Sequence, residues 1–318
     1  MKPLVSAVIV NYNGKEVILQ AINALKSQSL KNLEIIVVDN NSSDGSRSII
    51  KKQKNVLLVE NKKNLGYCGI NSALRKCRGK YIFFTNNDIS LGKDCIKNLA
   101  DALESDDAIG ISSPKVVNFF NKNLKSSGTW VSRSFYNGHF KSSGDSRKEI
   151  PYNGIAMIRK SLSDRFGYLF DGDYFTYAED LDLGLRIRLL GYKVVHVPNA
   201  VLYHMHSLTL SKSKKYMLVY MMERNLLTTF AKILSIKNII IFLPYVIAMR
   251  LAAIAKDLAS LEFAAAGARA AAVFAVILNI PSILRKRRAI QKLRKKDDSF
   301  LLEVFSEKYI FSGRKINV

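Results

Sequence analysis

Apolar residues in the first ninety positions form short continuous runs, and segments with helical spacing separate these runs. The runs predict strands at residues 6–10, 33–38, 56–59 and 81–85, and the segments between them predict helices at 17–25, 47–52 and 66–76. Because the runs are apolar throughout and do not alternate, they are typical of a mostly parallel sheet covered by helices on both faces. The sequence therefore predicts an α/β fold.

Polar clusters follow three of the predicted strands, at residues 11–14, 39–44 and 86–88. Ligands of open parallel sheets bind outside the carboxyl ends of the strands, so these clusters predict a binding site. Ordinary turn chemistry would explain any single cluster, but three clusters at equivalent strand ends favour a shared site.

Residues 118–150 are rich in Ser, Asn, Lys and Gly, with a few scattered aromatic residues. Long loops inside compact domains are often lids. We expect a loop over this range whose aromatic side chains Trp130, Phe135 and Tyr136 meet a substrate, and a solvated His139.

Residues 178–188 have helical spacing and begin with several carboxylates. Asp182 has Arg186 four residues on, the arrangement of an ion pair. Asp180 has Gly184 four residues on, so no charge on the same helix neutralises the Asp180 carboxylate and no bulky side chain covers it. Asp180 is therefore the better candidate for a general base, although a carboxylate that caps the helix fits the same position.

A short predicted strand at residues 201–203 leads to His204 and, two residues later, His206. Alternation along a strand places both on one face, which suits either a metal site or a packed pair. Together with Asp88, a histidine here could hold a divalent ion whose other ligands are phosphate oxygens and water.

The composition of the 318 residues, 48% apolar and 24% charged, excludes wholesale disorder. The net charge of +23 is compatible with nucleic acid, an anionic membrane or a phosphorylated substrate. Residues 201–318 hold 20 basic and 7 acidic side chains, a net +13, so the excess leans towards the C-terminus. The unpaired spacing of Cys68, Cys77 and Cys95 favours reduced thiols and a cytoplasmic location, and we expect no signal peptide.

The C-terminal third contains two uncharged runs of eleven residues, 239–249 and 270–280, each shorter than the 18 expected of a spanning helix. Three arrangements stay open: helices lying in the membrane interface, a hairpin that dips into or crosses the bilayer, and a soluble tail or dimer interface of a homo-oligomer. Basic residues at 285–288, 292 and 294–296 favour anionic headgroups on the inner face of the cell membrane. We expect a catalytic domain at residues 1–230 and a helical, basic, membrane-associating extension at 231–318.

Six motifs in order resemble family 2 glycosyltransferases of the GT-A fold, and among these the rhamnosyltransferase-like branch. They are SAVIVNYNG at residues 6–14, IVVDNNSSDG at 36–45, NLGYCGIN at 64–71, YIFFTNND at 81–88, NGIAMIR at 153–159 and AEDLDL at 178–183. The resemblance covers roughly residues 5–230, and it implies a nucleotide-diphospho-sugar transferase.

The resemblance also implies roles for individual residues. Val10 and Asn11 would line the nucleotide pocket, and Asp39 would accept a hydrogen bond from the base. Asn64 would lie where the family closes over the nucleotide. At Gly154 the absent side chain would let the backbone approach the donor sugar, although a simple turn glycine fits the same position. The remaining donor-binding positions are Asn86 and Glu179.

For the metal and the chemistry, Asp88 matches the last acid of the family's Asp-x-Asp motif, and His204 matches a late histidine that completes the site. Asn86 departs from the pattern because many relatives have Asp there, so one anionic ligand is lost. Asp180 matches the catalytic base. The implied cofactor is Mg²⁺ or Mn²⁺.

The resemblance thus implies an inverting, metal-dependent transfer of rhamnose or a related hexose from a dTDP- or UDP-sugar to a cell-envelope polysaccharide or lipid-linked glycan. Two other functions stay open, a nucleotidyltransferase and a catalytically silent membrane adaptor of the same fold. A nucleic-acid partner is not expected, since the positive charge adjoins apolar helices and not a recognisable binding module.

Overall fold

A computed structural model describes residues 3–140, 148–205 and 215–306. The strands are β1 (Val5–Asn11), β2 (Leu33–Asp39), β3 (Val56–Glu60), β4 (Tyr81–Asn86), β5 (Ile89–Leu91), β6 (Ile109–Asn118), β7 (Leu124–Ser126), β8 (Thr129–Val131), β9 (Asn137–His139), β10 (Lys148–Glu149), β11 (Ala156–Arg159) and β12 (Lys193–His204). The helices are α1 (Ile18–Lys26), α2 (Ser46–Lys51), α3 (Cys95–Glu104), α4 (Lys160–Phe166), α5 (Glu179–Leu189), α6 (Lys215–Ile233), α7 (Ile236–Ala259), α8 (Phe263–Leu278), α9 (Ile280–Lys292) and α10 (Asp298–Leu302), with a 3₁₀ helix at Gly66–Lys76.

One mixed sheet of ten strands dominates the described part of the chain. Its order is β10-β12-β6-β11-β4-β1-β2-β3, with β5 paired to β12 and β7 to β6. The pairs β1–β2, β1–β4, β2–β3 and β6–β12 are parallel, and β11 runs antiparallel to both β4 and β6. The predicted α/β fold with helices on both faces is therefore confirmed.

The register of the central strands places the polar clusters side by side. Asn11 pairs with Asp39 across β1 and β2, and Val10 pairs with Asn86 across β1 and β4. All three strands run in the same direction, so their carboxyl ends meet at one edge of the sheet.

The C-terminal helices share a hydrophobic core with helix α5 and other residues that precede position 230. Leu181 and Leu185 of α5 pack in one cluster with Phe230 of α6, Val246 of α7 and Ile290 of α9. The segment after residue 230 is thus packed directly against the helix that carries Asp180.

Residues 118–140 differ from the expected substrate-facing lid. They form β7 and a hairpin of β8 and β9, in which Trp130 and Phe135 are buried. The Phe135 ring packs edge-on against Phe230 of α6. Trp130 and Phe135 are therefore packed inside the fold and do not form a substrate-facing lid. Residues 141–147 of the predicted loop lie outside the described residues.

Helix α7 is longer than the uncharged run at residues 239–249 on which the sequence expectation was based. It has 24 residues, continues through Pro244 and Arg250, and is long and apolar enough to cross a membrane by length and composition. Helices α8 and α9 would reach that length only as a pair, and they bend by 67° at their junction.

Candidate active site

A hydrogen-bonded cluster joins the ends of β1 and β2. The Asn11 amide nitrogen donates to Asp39 Oδ1 at 2.8 Å, to Ser42 Oγ at 3.2 Å and to Ser46 Oγ at 3.0 Å. The Ser42 backbone N–H donates to Asp39 Oδ2 at 2.9 Å. Asn11 and Asp39 are fully buried, so both side chains set the shape of the loops that border the site.

The end of β4 is tied into the same cluster. Asn87 donates from its amide to Asn11 Oδ1 at 2.8 Å. Gly14 lies against both side chains, since a Cβ at Gly14 would come within 2.4 Å of Asn11 Oδ1 and 2.0 Å of the Asn87 amide nitrogen. A side chain at Gly14 would displace the Asn11 and Asn87 amides from the hydrogen bond that joins them.

The loop after β3 folds back towards this edge. Asn64 Oδ1 accepts the Gly66 N–H at 2.9 Å, and Asn40 after β2 donates to the Gly66 carbonyl at 2.7 Å. Gly66 has φ +61°, and a Cβ there would lie 2.1 Å from the carbonyl oxygen of Phe175. Asn64 thus binds the first N–H of the 3₁₀ helix at the point where this helix meets the segment before α5.

Asp88, Asn86 and His204 converge at the end of β4. His204 Nε2 lies 3.4 Å from Asp88 Oδ1 and 3.0 Å from the Asn86 amide nitrogen. Asp88 Oδ2 is buried and meets no hydrogen-bond donor among the described residues. His206 lies outside the described residues.

This donor set fits a divalent cation. The buried Asp88 oxygen without a donor is a ligand that Mn²⁺ and Mg²⁺ accept, and the His204 imidazole suits Mn²⁺ better than Mg²⁺. The Asn86 amide turns its nitrogen towards His204, so it would offer its carbonyl oxygen only after rotation of the amide. In the described residues no third His, Cys, Asp or Glu joins Asp88 and His204, which leaves coordination positions for diphosphate oxygens and water.

Glu179 and Asp180 begin α5 at the opposite side of the site. Burial raises the pKa of Asp180 to about 6, although its Oδ1 accepts the Leu181 N–H at 2.8 Å. Burial and the neighbouring Asp180 charge raise the pKa of Glu179 well above its ordinary value. Asp180 is thus a carboxylate whose pKa is suited to accept a proton near neutral pH.

Tyr67 connects the two sides. Its hydroxyl donates to the Gly154 carbonyl at 2.7 Å. Burial and the charges of Glu179, Asp180 and Asp88 raise the pKa of Tyr67 well above its ordinary value. All three carboxylates therefore lie within electrostatic range of the Tyr67 hydroxyl. Tyr67 belongs to the NLGYCGIN motif at residues 64–71, but the helical pattern of this segment did not indicate a role for Tyr67 in the site.

Gly154 lies directly in front of the Asp180 carboxylate. A Cβ at this position would be 3.2 Å from Asp180 Oδ2, closer than ordinary van der Waals contact. The missing side chain therefore keeps open the space next to the carboxylate.

The segment that leads into α5 has an unusual backbone. Phe175, Tyr177 and Ala178 have φ values of +62°, +66° and +60°, the left-handed region that costs a residue with a Cβ about 1 kcal/mol or more. Asn225 of α6 donates its amide to the carbonyls of Tyr174, Thr176 and Tyr177 at 3.1, 2.9 and 2.7 Å.

Arg224 completes this contact, since it donates to the Asp173 carbonyl at 2.7 Å and to Asn225 Oδ1 at 2.8 Å. Sequence reasoning missed both residues. The available signal was an Asn, a poor helix former, in the interior of the helical stretch at residues 215–233.

Buried charges fix the inner face of α5. The predicted pair of Asp182 and Arg186 is confirmed at 2.7 Å with both side chains buried, and Lys232 of α6 lies 2.7 Å from Asp182 and 2.6 Å from Asp171. Gly184 has a packing role here, since a Cβ would lie 2.3 Å from the Pro151 carbonyl oxygen. It does not open space before Asp180, as its spacing had suggested.

The mixed α/β sheet has an amide and carboxylate cluster at the ends of its central strands, with the pair of Asp88 and His204 and the Asp180 carboxylate as further candidate site residues. This arrangement fits a nucleotide-diphospho-sugar transferase of the GT-A fold. Residues 6–167, just over half of the chain, match the family model described as glycosyl transferase family 2. The chain belongs to this family and is a glycosyltransferase.

Two relatives illustrate the similarity in sequence. An uncharacterized glycosyltransferase of Haemophilus influenzae is 27% identical over 220 residues, which cover 64% of this chain and 66% of the relative. The UDP-Glc:alpha-D-GlcNAc-diphosphoundecaprenol beta-1,3-glucosyltransferase WfaP of Escherichia coli is 38% identical over 88 residues, 27% of this chain and 35% of the relative. The matched region is therefore about two thirds of the first relative's length and about a third of the second's.

Solved structures share the fold at low sequence identity. The mannosyltransferase PcManGT of Pyrobaculum calidifontis, in complex with GDP-Man and Mn²⁺, has a TM-score of 0.55 and 19% identity, and the match covers 92% of this chain and 86% of that one. GalNAc-T7 with UDP, GalNAc and Mn²⁺ has a TM-score of 0.61 and 14% identity, with 73% and 48% covered.

Proposed function

We propose that the chain is an inverting, metal-dependent hexosyltransferase in which Asp180 is the catalytic base. The observation that carries this proposal is the Asp180 carboxylate, whose pKa is raised to about 6 and which faces open space at Gly154. The charges of Asp180 and of Asp88, the carboxylate 3.4 Å from His204, both raise the pKa of Tyr67. A base whose pKa is near the working pH is both deprotonated and able to accept a proton.

In the reaction, Asp180 takes the proton of an acceptor hydroxyl while that oxygen attacks the anomeric carbon of the donor. The bond from the anomeric carbon to the diphosphate breaks, so a single displacement inverts the configuration. A divalent ion held by Asp88, His204 and the Asn86 carbonyl would stabilise the negative charge of the diphosphate.

The donor is proposed to be a nucleotide sugar that binds along the ends of β1, β2 and β4. The residues proposed to line the donor site are Val10, Asn11, Asp39, Asn64, Asn86, Gly154 and Glu179. The donors we propose are dTDP-rhamnose and UDP-hexoses. Similar proteins support the second class, since WfaP is a UDP-Glc glucosyltransferase and the TarS structure of S. aureus contains UDP. The GDP-Man bound to PcManGT makes guanine nucleotides a necessary comparison.

The acceptor is proposed to be a cell-envelope polysaccharide intermediate carried on a lipid. Named relatives support this class, since WfaP acts on a diphosphoundecaprenol substrate and a Bacillus spizizenii relative is a poly(ribitol-phosphate) beta-glucosyltransferase. Residues 1–230 would carry catalysis, and residues 231–318 would hold the enzyme peripherally at the inner face of the cytoplasmic membrane.

A thermal-shift screen of nucleoside diphosphates and nucleotide sugars, each with Mg²⁺, with Mn²⁺ and without metal, tests the donor site because a ligand of the folded state raises stability. Uridine or thymidine diphosphates with metal are expected to stabilise the chain most. Asp180→Asn should abolish transfer and retain this shift. Near-normal turnover of that variant would refute the role of Asp180.

A further inference from the structure

An apolar surface runs along α7 and α8 on the outside of the molecule. Exposed apolar residues recur every three to seven positions on α7 and continue through the α7–α8 turn and along α8. They are Ile240, Leu243, Ile247, Leu251 and Leu258 on α7, Leu261 in the turn, and Phe263, Phe274, Ile277 and Leu278 on α8. An exposed apolar surface of this extent marks a contact with another molecule or with a membrane.

The opposite face of α7 is fixed to the catalytic domain. Val246 belongs to the core that contains Phe230 of α6. The buried Arg250 guanidinium donates to the Ser134 carbonyl, lies 3.4 Å from the Glu223 carboxylate and covers the Tyr136 ring at 4.3 Å.

Helix α8 converges on the same carboxylate. Arg269 pairs with Glu223 of α6 and, at 2.8 Å, with Asp257 of α7. Each of the two helices therefore places one arginine against a single buried glutamate and turns its apolar face outward.

This packing argues against α7 as a membrane-crossing helix. Its 24 residues would extend about 36 Å, and Arg250 lies about 21 Å from its first residue, within the hydrocarbon region of any crossing. A crossing would separate Arg250 from Glu223 and leave the Arg250 charge within the hydrocarbon without this partner, which is unfavourable.

The charges beside the apolar surface identify its partner. Helix α9 begins with the exposed apolar residues Ile280 and Leu284, and the exposed Arg285 and Arg288 follow directly. Lys237 is exposed at the start of α7. Basic side chains that flank an apolar face attract anionic lipid headgroups. We infer that the apolar faces of α7 and α8 dock on an anionic lipid bilayer, with both helices lying in the plane of its interface.

This docking deepens the proposed function and rests on it, because it places the membrane near the catalytic base. Tyr216 of α6 donates from its hydroxyl to Glu262 at 3.4 Å, beside the α7–α8 turn. Asn225 lies nine residues further along α6, about 14 Å, where it contacts the segment that leads to Asp180. An acceptor carried on a lipid would therefore reach the site from the bilayer that binds the turn.

Flotation of the full chain with phosphatidylglycerol-containing and pure phosphatidylcholine vesicles tests the surface. The chain should float with anionic vesicles, and Ile247→Glu/Leu251→Glu should lower the apparent affinity at least about tenfold while the melting temperature is kept. The matched control Leu19→Glu/Leu57→Glu changes two comparably exposed apolar residues on α1 and β3 and should float normally. Equal flotation of both double variants would overturn the proposal.

Two further readouts separate the alternatives. Lys237→Cys and Lys256→Cys lie near the two ends of α7, and both should react with a membrane-impermeant maleimide when protein is bound to sealed vesicles. Protection of one end alone would show a crossing, and a dimer that Ile247→Glu/Leu251→Glu converts to monomer would show a second copy on this surface. Either result would overturn planar docking. Flotation requires no turnover, so its outcome is independent of the assigned glycosyl transfer.

Discussion

The Asn225 side-chain amide donates to the Tyr177 carbonyl at 2.7 Å, across 48 positions in sequence, and so ties α6 to the left-handed segment before Asp180. Asn225→Ala removes this bond and two others from a buried site, at a cost of about 1–3 kcal/mol or more. Because the segment sets the position of Asp180, we expect kcat to fall about tenfold or more with little change in donor KM.

Leu226→Ala is the matched control for Asn225→Ala, since Leu226 is buried on the next position of α6 and packs in the core. It should lower the unfolding temperature by a comparable amount and leave kcat nearly unchanged below that temperature. Equal loss of kcat in both variants would show that Asn225 acts only through stability.

The pH dependence of the rate follows from the raised pKa of Asp180. Burial raises this pKa to about 6, and the base must be deprotonated to act. The value of kcat should therefore rise about tenfold per pH unit below pH 6 and level off above it. Steady-state rates between pH 4.5 and pH 8 test this, and a profile that is flat through pH 6 would contradict the assignment.

Gly154→Ala should slow the reaction without unfolding the chain. The new Cβ would lie 3.2 Å from Asp180 Oδ2 and would occupy space that the acceptor hydroxyl needs. We expect kcat to fall about tenfold. Gly172→Ala is the control because its Cβ would meet nothing within 4 Å, and full activity of Gly154→Ala would show that this space is not used.

Asn86→Asp should tighten the binding of a divalent ion. The change adds an anionic ligand beside Asp88 and His204, whose side chains lie 3.4 Å apart. Titration of Mn²⁺ by calorimetry should show tighter binding than in the wild type and loss of binding in Asp88→Asn. His139→Ala, a histidine on β9, is the control and should bind Mn²⁺ normally, whereas unchanged affinity in Asn86→Asp would contradict this site.

Lys232→Met should destabilise the fold. Lys232 is fully buried between Asp171 and Asp182, and its removal leaves two carboxylates without a shared cation, at a cost of about 3–5 kcal/mol. Urea denaturation should show this loss, and Lys237→Met, at an exposed lysine of α7, should change stability little. A loss for Lys232→Met of the same small size as for Lys237→Met would contradict the role of this buried cation.

In the wild type, burial alone would raise the pKa of Asp171, but Lys232 and Lys286 hold it well below its ordinary value of 3.8. A carboxyl group with a lowered folded pKa stabilises the fold above its unfolded pKa and loses this contribution as the pH falls towards the folded value. Acid unfolding of the wild type should therefore include a contribution below about pH 4, which Lys232→Met weakens.

The strand ends of the site were predictable because fully buried parallel strands are apolar throughout and end in polar turns. The Asp182–Arg186 pair was predictable because it is local to one helix. By contrast, Asn225 contacts a segment 48 residues away, and no local pattern encodes such a contact.

The errors have physical reasons too. Trp130 and Phe135 lie in a polar segment, yet both are buried. Phe135 packs against Phe230 of α6, a helix that follows much later in the chain, and Trp130 lies against Gly138 of its own hairpin. Helix α7 looked too short to cross a membrane because Arg250 interrupts its apolar run, and in the fold Glu223 compensates that charge.

The three cysteines have a practical consequence for the study of membrane docking. Cys68, Cys77 and Cys95 are buried, and burial raises the pKa of each thiol, to about 12 for Cys77. Thiol reagents react with the thiolate, so all three should stay unlabelled in the folded chain. A fluorophore on Leu261→Cys, in the α7–α8 turn, would then be a single-site reporter whose emission changes as the turn enters lipid.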